Sequence, residues 1–283
     1  MHVMAWTAAA ITPPLPTVKL GIRGNACLMT PILYNKGCGS QRLNAAKNTR
    51  TVCLNADRDS SKARVCVDSN ACVPLVKMCG ITSVHDAVVA AEAGANFIGM
   101  ILWPKSKRSV PLDVAKEISR AAREYGAEPV GVFVDEDADE IERACDATNI
   151  AFVQLHGNGA RNALSRLIQH RNIIYVLHVD KGGKVLTKNP NEESSVLVDW
   201  ILIDSLGGGN GQKFDWENLQ VPVNSSKNGW LLAGGINPQN VSEAISILRP
   251  DVVDVSSGIC ASDGIQKDPS RITSFIHAVR QKR

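Results

Sequence analysis

From Leu75 onward, short apolar runs alternate with amphipathic stretches. This is the pattern of βα units feeding a parallel sheet. Eight runs read as strands: Leu75–Ile81, Asn96–Leu102, Pro129–Asp135, Ala151–His156, Ile173–Val179, Trp200–Asp204, Gly229–Ala233 and Asp251–Ser256. Helical patterns fall between them at Ser83–Ala93, Pro111–Tyr125, Asp137–Thr148, Ala160–Gln169 and Pro238–Leu248, and Pro269–Arg280 closes the series. Ser83 with Asp86 reads as a variant capping box, and Pro111 with Asp113 as a helix start. Residues 180–198 and 214–226 are polar, so one or both of the helices there are expected to shrink to short turns.

Eight strands with seven or eight helices in roughly 210 residues predict an α/β fold, a single closed (β/α)8 TIM barrel. A doubly wound open sheet is the alternative. Against it, no G-x-G-x-x-G follows the first strand. The glycine-rich stretch Gly207–Gly211 is followed by Gln212, Lys213 and Phe214, which is not a phosphate-binding Walker loop.

Residues 1–72 carry no sustained helical or strand period and are rich in Ala, Thr and Asn. Residues 1–56 hold six basic residues and no acidic one. That composition predicts a disordered transit peptide over 1–72, ahead of a barrel domain over 73–283. A tail that stays attached is the other reading. A secretory signal is disfavoured by Pro13, Pro14 and Pro16 and by the lack of a basic start. No apolar run approaches the roughly 18 residues of a membrane-spanning helix, so no membrane partner is expected.

The net charge of +3 is misleading as a global figure, because residues 73–283 carry 22 basic and 25 acidic side chains. A mildly acidic domain without a basic stripe argues against a nucleic-acid partner. Five of the eight cysteines precede residue 73, leaving Cys79, Cys145 and Cys260. No C-x-x-C pair exists, so neither a structural zinc site nor a dithiol redox pair is expected, and three scattered thiols suit a reducing compartment.

In a (β/α)8 barrel, polar residues at the C-terminal ends of strands build the active site. Strand 1 offers Lys77 and Cys79, which share parity and so point to the lumen or mouth. Strand 2 leads into Trp103–Arg108, strand 4 ends at His156, strand 6 at Asp204, strand 7 at Gly234 and Gly235, and strand 8 at Asp254, Ser256, Ser257 and Gly258. The last two loops occupy the commonest phosphate site of the fold, where glycines let N–H groups approach phosphate oxygens. The blander reading is that Gly234 and Gly235 simply serve a tight turn into the helix at Asn237-Pro238. Cys79 reads as a core thiol or a reactive one. Asp204, at the end of an apolar run, needs a partner to be tolerated. His156 is as readily a packing residue as a catalyst. Arg108 offers two-point binding to a carboxylate, or is a solvated charge as Lys105 and Lys107 are expected to be.

Seven strings in order resemble the phosphoribosylanthranilate isomerases: Lys77-Met78-Cys79-Gly80-Ile81-Thr82, Pro104-Lys105-Ser106-Lys107-Arg108, Val130-Gly131-Val132-Phe133-Val134, Val153-Gln154-Leu155-His156-Gly157, Phe214-Asp215-Trp216, Leu232-Ala233-Gly234-Gly235-Ile236-Asn237-Pro238 and Asp254-Val255-Ser256-Ser257-Gly258. The resemblance covers 75–280, and Cys260 and the N-terminal features look like those of plant-type members, which implies the plastid stroma. It implies an Amadori rearrangement in tryptophan biosynthesis, with Cys79 as general base and Asp204 as general acid, and no metal or cofactor. Arg108 would hold the anthranilate carboxylate. His156, Gly234, Gly235, Asp254, Ser256, Ser257 and Gly258 would line the substrate, with phosphate on the last two loops. Asn210 stands where Ser or Thr is usual, and Cys260 where Glu is common. The small-molecule substrate is the expected partner, with the chain as monomer or homodimer. The competing readings are another phosphate-binding barrel enzyme, such as a sugar-phosphate epimerase, and a barrel kept only as a binding module.

Overall fold

The computed structural model describes residues 73–190, 197–206, 214–221 and 225–281. The 1–72 segment, the glycine-rich stretch at 207–213 and Asn210 lie outside them. All eight expected strands form: β1 Leu75–Cys79, β2 Phe97–Ile101, β3 Glu128–Phe133, β4 Phe152–Leu155, β5 Asn172–Val179, β6 Trp200–Ser205, β7 Trp230–Leu232 and β8 Val252–Val255. Each pairs parallel with the next, and β8 returns to β1, so the sheet closes. The open-sheet alternative is thereby excluded.

The side-chain period of two then divides each strand between two cores. One set faces the helices: Met78, Ile98, Met100, Val153, Leu155, Ile201 and Ile203 pack with Ala87, Ile118, Ile141 and Phe275. The other set fills the lumen. Phe97, Val130, Ile174, Val176, Leu202, Leu231, Ala233 and Val252 form a plug, with Phe152 and Trp200 packed against it. Phe97 meets the Phe152 and Trp200 rings edge-on at centroid distances of 5.5 and 6.3 Å. Side chains of this size contribute about 1.5–3 kcal/mol each when fully buried. Lys77, Cys79, Gln154, His178, Asp204 and Asp254 take inward positions on the C-terminal side of the plug and face the site.

The helices are α1 Val84–Ala93, α2 Leu112–Glu124, α3 Ala138–Thr148, α4 Asn158–Arg161, α5 Leu164–Leu167, α6 Val241–Leu248 and α7 Pro269–Arg280. Ser83 Oγ accepts the Asp86 N–H at 3.1 Å, which is half of the expected box. The Asp86 carboxylate is used elsewhere, accepting the Lys267 N–H at 3.2 Å. A complete box forms instead at Asp137 and Glu140. The helix start expected at Pro111 forms, with Pro111 as the N-cap of α2 and Asp113 in its first turn, but no side chain caps it, since the Asp113 carboxylate accepts the N–H of Val114. The helix expected over Ala160–Gln169 is broken into α4 and α5. Asn162 N–H bonds back to Gly159 and Asn158 together, tightening the turn after Arg161. Among the described residues no helix lies between β6 and β7, while between β5 and β6 Pro190 is helical and residues 191–196, which follow it, lie outside the described residues. The connection after β6 instead buries Phe214 and Trp216.

Candidate active site

Above the plug, strand register sets who stands beside whom. Lys77 of β1 lies level with Asp254 of β8, and His178 of β5 with Asp204 of β6. Lys77 is fully buried, and its Nζ donates to Asp254 Oδ1 at 2.9 Å. Burial alone pulls the Lys77 proton affinity down, but Asp254 and Cys79 together outweigh it and leave the ammonium above its ordinary value. Asp204 lacks such a partner. Its burial and the charge of Asp254 push its carboxyl up from 3.8 to about 7, against hydrogen bonds from Ser205 and the charge of Lys77. A carboxyl in that range can hold a proton near neutrality and release it.

Cys79 ends β1 and is a buried free thiol. Gly99 on β2 makes room for it, since a Cβ there would stand 2.9 Å from Cys79 Sγ and 3.1 Å from its Cα. The Cys79 carbonyl accepts from Ser256 Oγ at 3.0 Å and from Lys267 Nζ at 2.8 Å. Lys267 also donates to the Ser256 carbonyl at 3.0 Å and to Cys260 Sγ at 3.4 Å, so one buried ammonium ties the end of β1 to the end of β8. Its proton affinity is lowered, first by burial and then by the neighbouring Arg108 charge.

Arg108 is buried rather than solvated, 7% exposed, and its Nη1 donates to Ser256 Oγ at 2.8 Å. Its Nε is buried with no hydrogen-bond partner, so the guanidinium keeps donor capacity for an anion. Lys105 and Lys107 are exposed as expected, Lys105 pairing with Asp135 at 3.2 Å.

His156 follows β4 at an inward position. Its Nε2 lies 4.0 Å from Asp204 Oδ2 and 3.4 Å from His178 Nε2, and its Nδ1 lies 3.4 Å from the Gln154 amide. Burial, then His178, Arg161 and Lys77, pull its imidazole down to about 3, so it is neutral at working pH. Gly234 and Gly235 turn the chain after β7 with φ of +81° and +71°. At Gly234 a Cβ would also meet the Ser205 backbone nitrogen at 2.8 Å, so this turn seats directly on the strand that carries Asp204. Ser257 and Gly258 lie in the 3-10 turn after β8, Ser257–Ile259. Gly258 packs on the carbonyl of Ile236, which brings the two loops together.

The family model for N-(5'-phosphoribosyl)anthranilate isomerase matches residues 76–278 of the chain. The chain belongs to the N-(5'-phosphoribosyl)anthranilate isomerase family. N-(5'-phosphoribosyl)anthranilate isomerase 1, chloroplastic, of Arabidopsis thaliana is 62% identical over 207 residues, which is 73% of this chain and 75% of that one. Among solved structures, monomers derived from the dimeric enzyme of Thermotoga maritima superpose with a TM-score of 0.59 at 31% identity, covering 73% of this chain and 98% of that one. A family member in complex with reduced 1-(o-carboxyphenylamino)-1-deoxyribulose 5-phosphate superposes with a TM-score of 0.57 at 30% identity, covering 73% and 98%.

For an isomerase of this family the mouth gathers every site residue the sequence singled out. Cys79, Arg108, His156, Asp204, Gly234, Gly235, Asp254, Ser256, Ser257 and Gly258 all lie at C-terminal strand ends or in the loops that follow them. The Ser256 hydroxyl links Arg108 to the Cys79 carbonyl, and Asp254 is paired to Lys77. Among the described residues, no three of His, Cys, Asp and Glu converge in a way that could hold a metal ion. Sequence reasoning missed Lys267, Arg161, His178 and Gly99. His178 carried a readable signal, sharing inward parity with Ile174 and Val176 on β5. Lys267 carried none, because it precedes α7 without periodic context. Among the described residues no helix is long and apolar enough to cross a membrane.

Proposed function

We propose that the chain isomerises N-(5'-phosphoribosyl)anthranilate to 1-(2-carboxyphenylamino)-1-deoxyribulose 5-phosphate, a step of tryptophan biosynthesis, through acid–base work by Asp204 and Cys79. The observation that carries the reading is an Asp204 carboxyl lifted to about 7 in the lumen that also holds the Cys79 thiol. Asp204 donates a proton to the ribose ring oxygen. The C1–O bond breaks while the anilino nitrogen lone pair forms the C1=N bond of a Schiff base. Cys79, as the thiolate, removes the C2 proton, and those electrons reduce the C1=N bond to an enolamine. Reprotonation at C1 with loss of the C2 hydroxyl proton gives the ketone. Lys77 places positive charge beside the sulfur that must be anionic to act as a base. Arg108 takes the anthranilate carboxylate, and the Gly234–Gly235 and Ser256–Gly258 loops take the phosphate.

Several further elements belong to the same reading. The chain works as monomer or homodimer, on a small molecule and with no nucleic acid as partner. Residues 1–72 direct it to the plastid, in keeping with their basic composition and with the chloroplastic Arabidopsis relative. A reporter fused to residues 1–72 should enter plastids, and a cytosolic reporter would count against that part. The catalytic part is tested by generating the fluorescent substrate in situ from anthranilate and phosphoribosyl pyrophosphate with a transferase. Its fluorescence should vanish on adding the chain. Persistent fluorescence would refute the assignment and return the barrel to another phosphate-ester chemistry or to binding alone.

A further inference from the structure

Behind His156 stands a hydrogen-bonded series that the reaction as written does not use. Arg161, the last residue of α4, donates from Nη2 to His178 Nδ1 at 2.9 Å and to the His156 carbonyl at 2.8 Å. It also donates from Nε to the Val176 carbonyl at 3.2 Å, and its guanidinium lies over the Tyr175 ring at 5.8 Å. The His178 ring meets the His156 ring edge-on, with the two Nε2 atoms 3.4 Å apart.

Arginine has no acceptor, so His178 Nδ1 must present its lone pair to Nη2. The His178 hydrogen is then on Nε2 and points at His156. One of two facing ring nitrogens must accept, so His156 Nε2 carries the lone pair and its hydrogen sits on Nδ1. Nδ1 faces the Gln154 amide, whose buried Oε1 otherwise has no partner; turning that amide end over places Oε1 on the Nδ1–H.

We propose that Arg161 and His178 are positioning residues that lock His156 as a neutral Nδ1–H tautomer, its Nε2 lone pair taken by the His178 N–H, so that it never competes with Asp204 for the catalytic proton. The idea rests on the isomerase reading for its consequence, but not for its geometry. The charged and titratable groups around His156 act in one direction. Lys77 of β1 and Arg161 of α4 oppose a cation there, and His178 of β5 already fills the Nε2 lone pair with a donor. Asp204 of β6 is the acid itself, and Asp254 of β8 is tied to Lys77. The directions of the shifts agree, with His178 drawn down to about 4 by burial and by Arg161. Were His156 free to ionise, a cation 4.0 Å from Asp204 would favour its carboxylate and strip the acid of its proton at lower pH.

The test is ring-¹⁵N NMR on the full chain, with the six histidines assigned by single substitution. His178 should show hydrogen on Nε2 and His156 on Nδ1, and neither ring should titrate between about pH 5 and 8. In Arg161→Met both rings should lose their fixed tautomers and titrate at higher pH than in the parent. The basic limb of the kcat profile should then move down by about one pH unit, while Arg161→Lys, which keeps a donor and a charge, restores most of it. Because Arg161 also bonds backbone carbonyls, His178→Phe serves as a second variant. It removes the N–H donor but keeps a ring, and it should return His156 to the Nε2–H tautomer. A His156 that carries its hydrogen on Nε2 in the unaltered chain, or that titrates near neutrality, overturns the proposal. So does a basic limb that stays in place in both variants. Absence of turnover in the unaltered chain would instead sink the functional reading, and the tautomers would still decide the geometry.

Discussion

Asp204→Asn should make the protein more stable and nearly inactive, and the stability gain should depend on pH. The Asp204 carboxyl is lifted from 3.8 to about 7 by burial and by Asp254. The sign follows from proton counting. Between those values the folded chain keeps a proton that the unfolded chain has already released, so stability is full at low pH and falls as pH rises through about 7. At 1.36 kcal/mol per pH unit the whole effect is about 4 kcal/mol, an order-of-magnitude ceiling for a buried, coupled group. Asparagine keeps the shape and carries no charge, so about 2–4 kcal/mol should return at pH 8, or about 4–16 °C in Tm for a domain of this size. At pH 5 the folded carboxyl is already neutral, and more than half of the gain should be gone. Thermal unfolding at the two pH values, followed by circular dichroism, reads both numbers. Equal gains at pH 5 and pH 8, or a variant less stable than the parent at pH 8, would refute the claim that Asp204 is held as a strained acid.

Three other substitutions probe the neighbours. Arg108→Lys should lower kcat/KM about 10- to 100-fold, since a charge-assisted contact is worth about 1.5–3 kcal/mol; a substrate analogue without the carboxylate should show no such loss. Gly99→Ala drives a methyl to 2.9 Å from Cys79 Sγ, so it should cost about 1–3 kcal/mol in urea unfolding and slow turnover by displacing the thiol. Lys77→Met leaves Asp254 as a buried lone charge and should cost about 3–5 kcal/mol, part of which a second change, Asp254→Leu, should recover.

How much of this was legible in the sequence follows from what a period can encode. Short apolar runs placed all eight strands, parity sent Lys77 and Cys79 to the lumen or mouth, and their position at strand ends marked Asp204 and Asp254. Strand order then puts β1 beside β8, yet the contact between Lys77 and Asp254, 177 residues apart, depends on stagger that no local pattern reveals. The loops were less readable still. For Arg108 the sequence left carboxylate binding and a solvated charge both open, and its burial against Ser256 separates it from the exposed Lys105 and Lys107. The break between α4 and α5 was hidden because Ala160–Gln169 keeps a helical apolar spacing, while Arg161 leaves that pattern to hold His178.

The base assignment carries the functional account, and Cys79→Ser tests it with one atom exchanged. Turnover of the in-situ substrate should fall at least about 100-fold, because a hydroxyl is a far poorer base than a thiolate near neutral pH. Binding of reduced 1-(o-carboxyphenylamino)-1-deoxyribulose 5-phosphate should stay within a few-fold of the parent, measured by titration calorimetry. A Cys79→Ser protein that turns over within a few-fold of the parent would contradict the account and remove Cys79 from the chemistry.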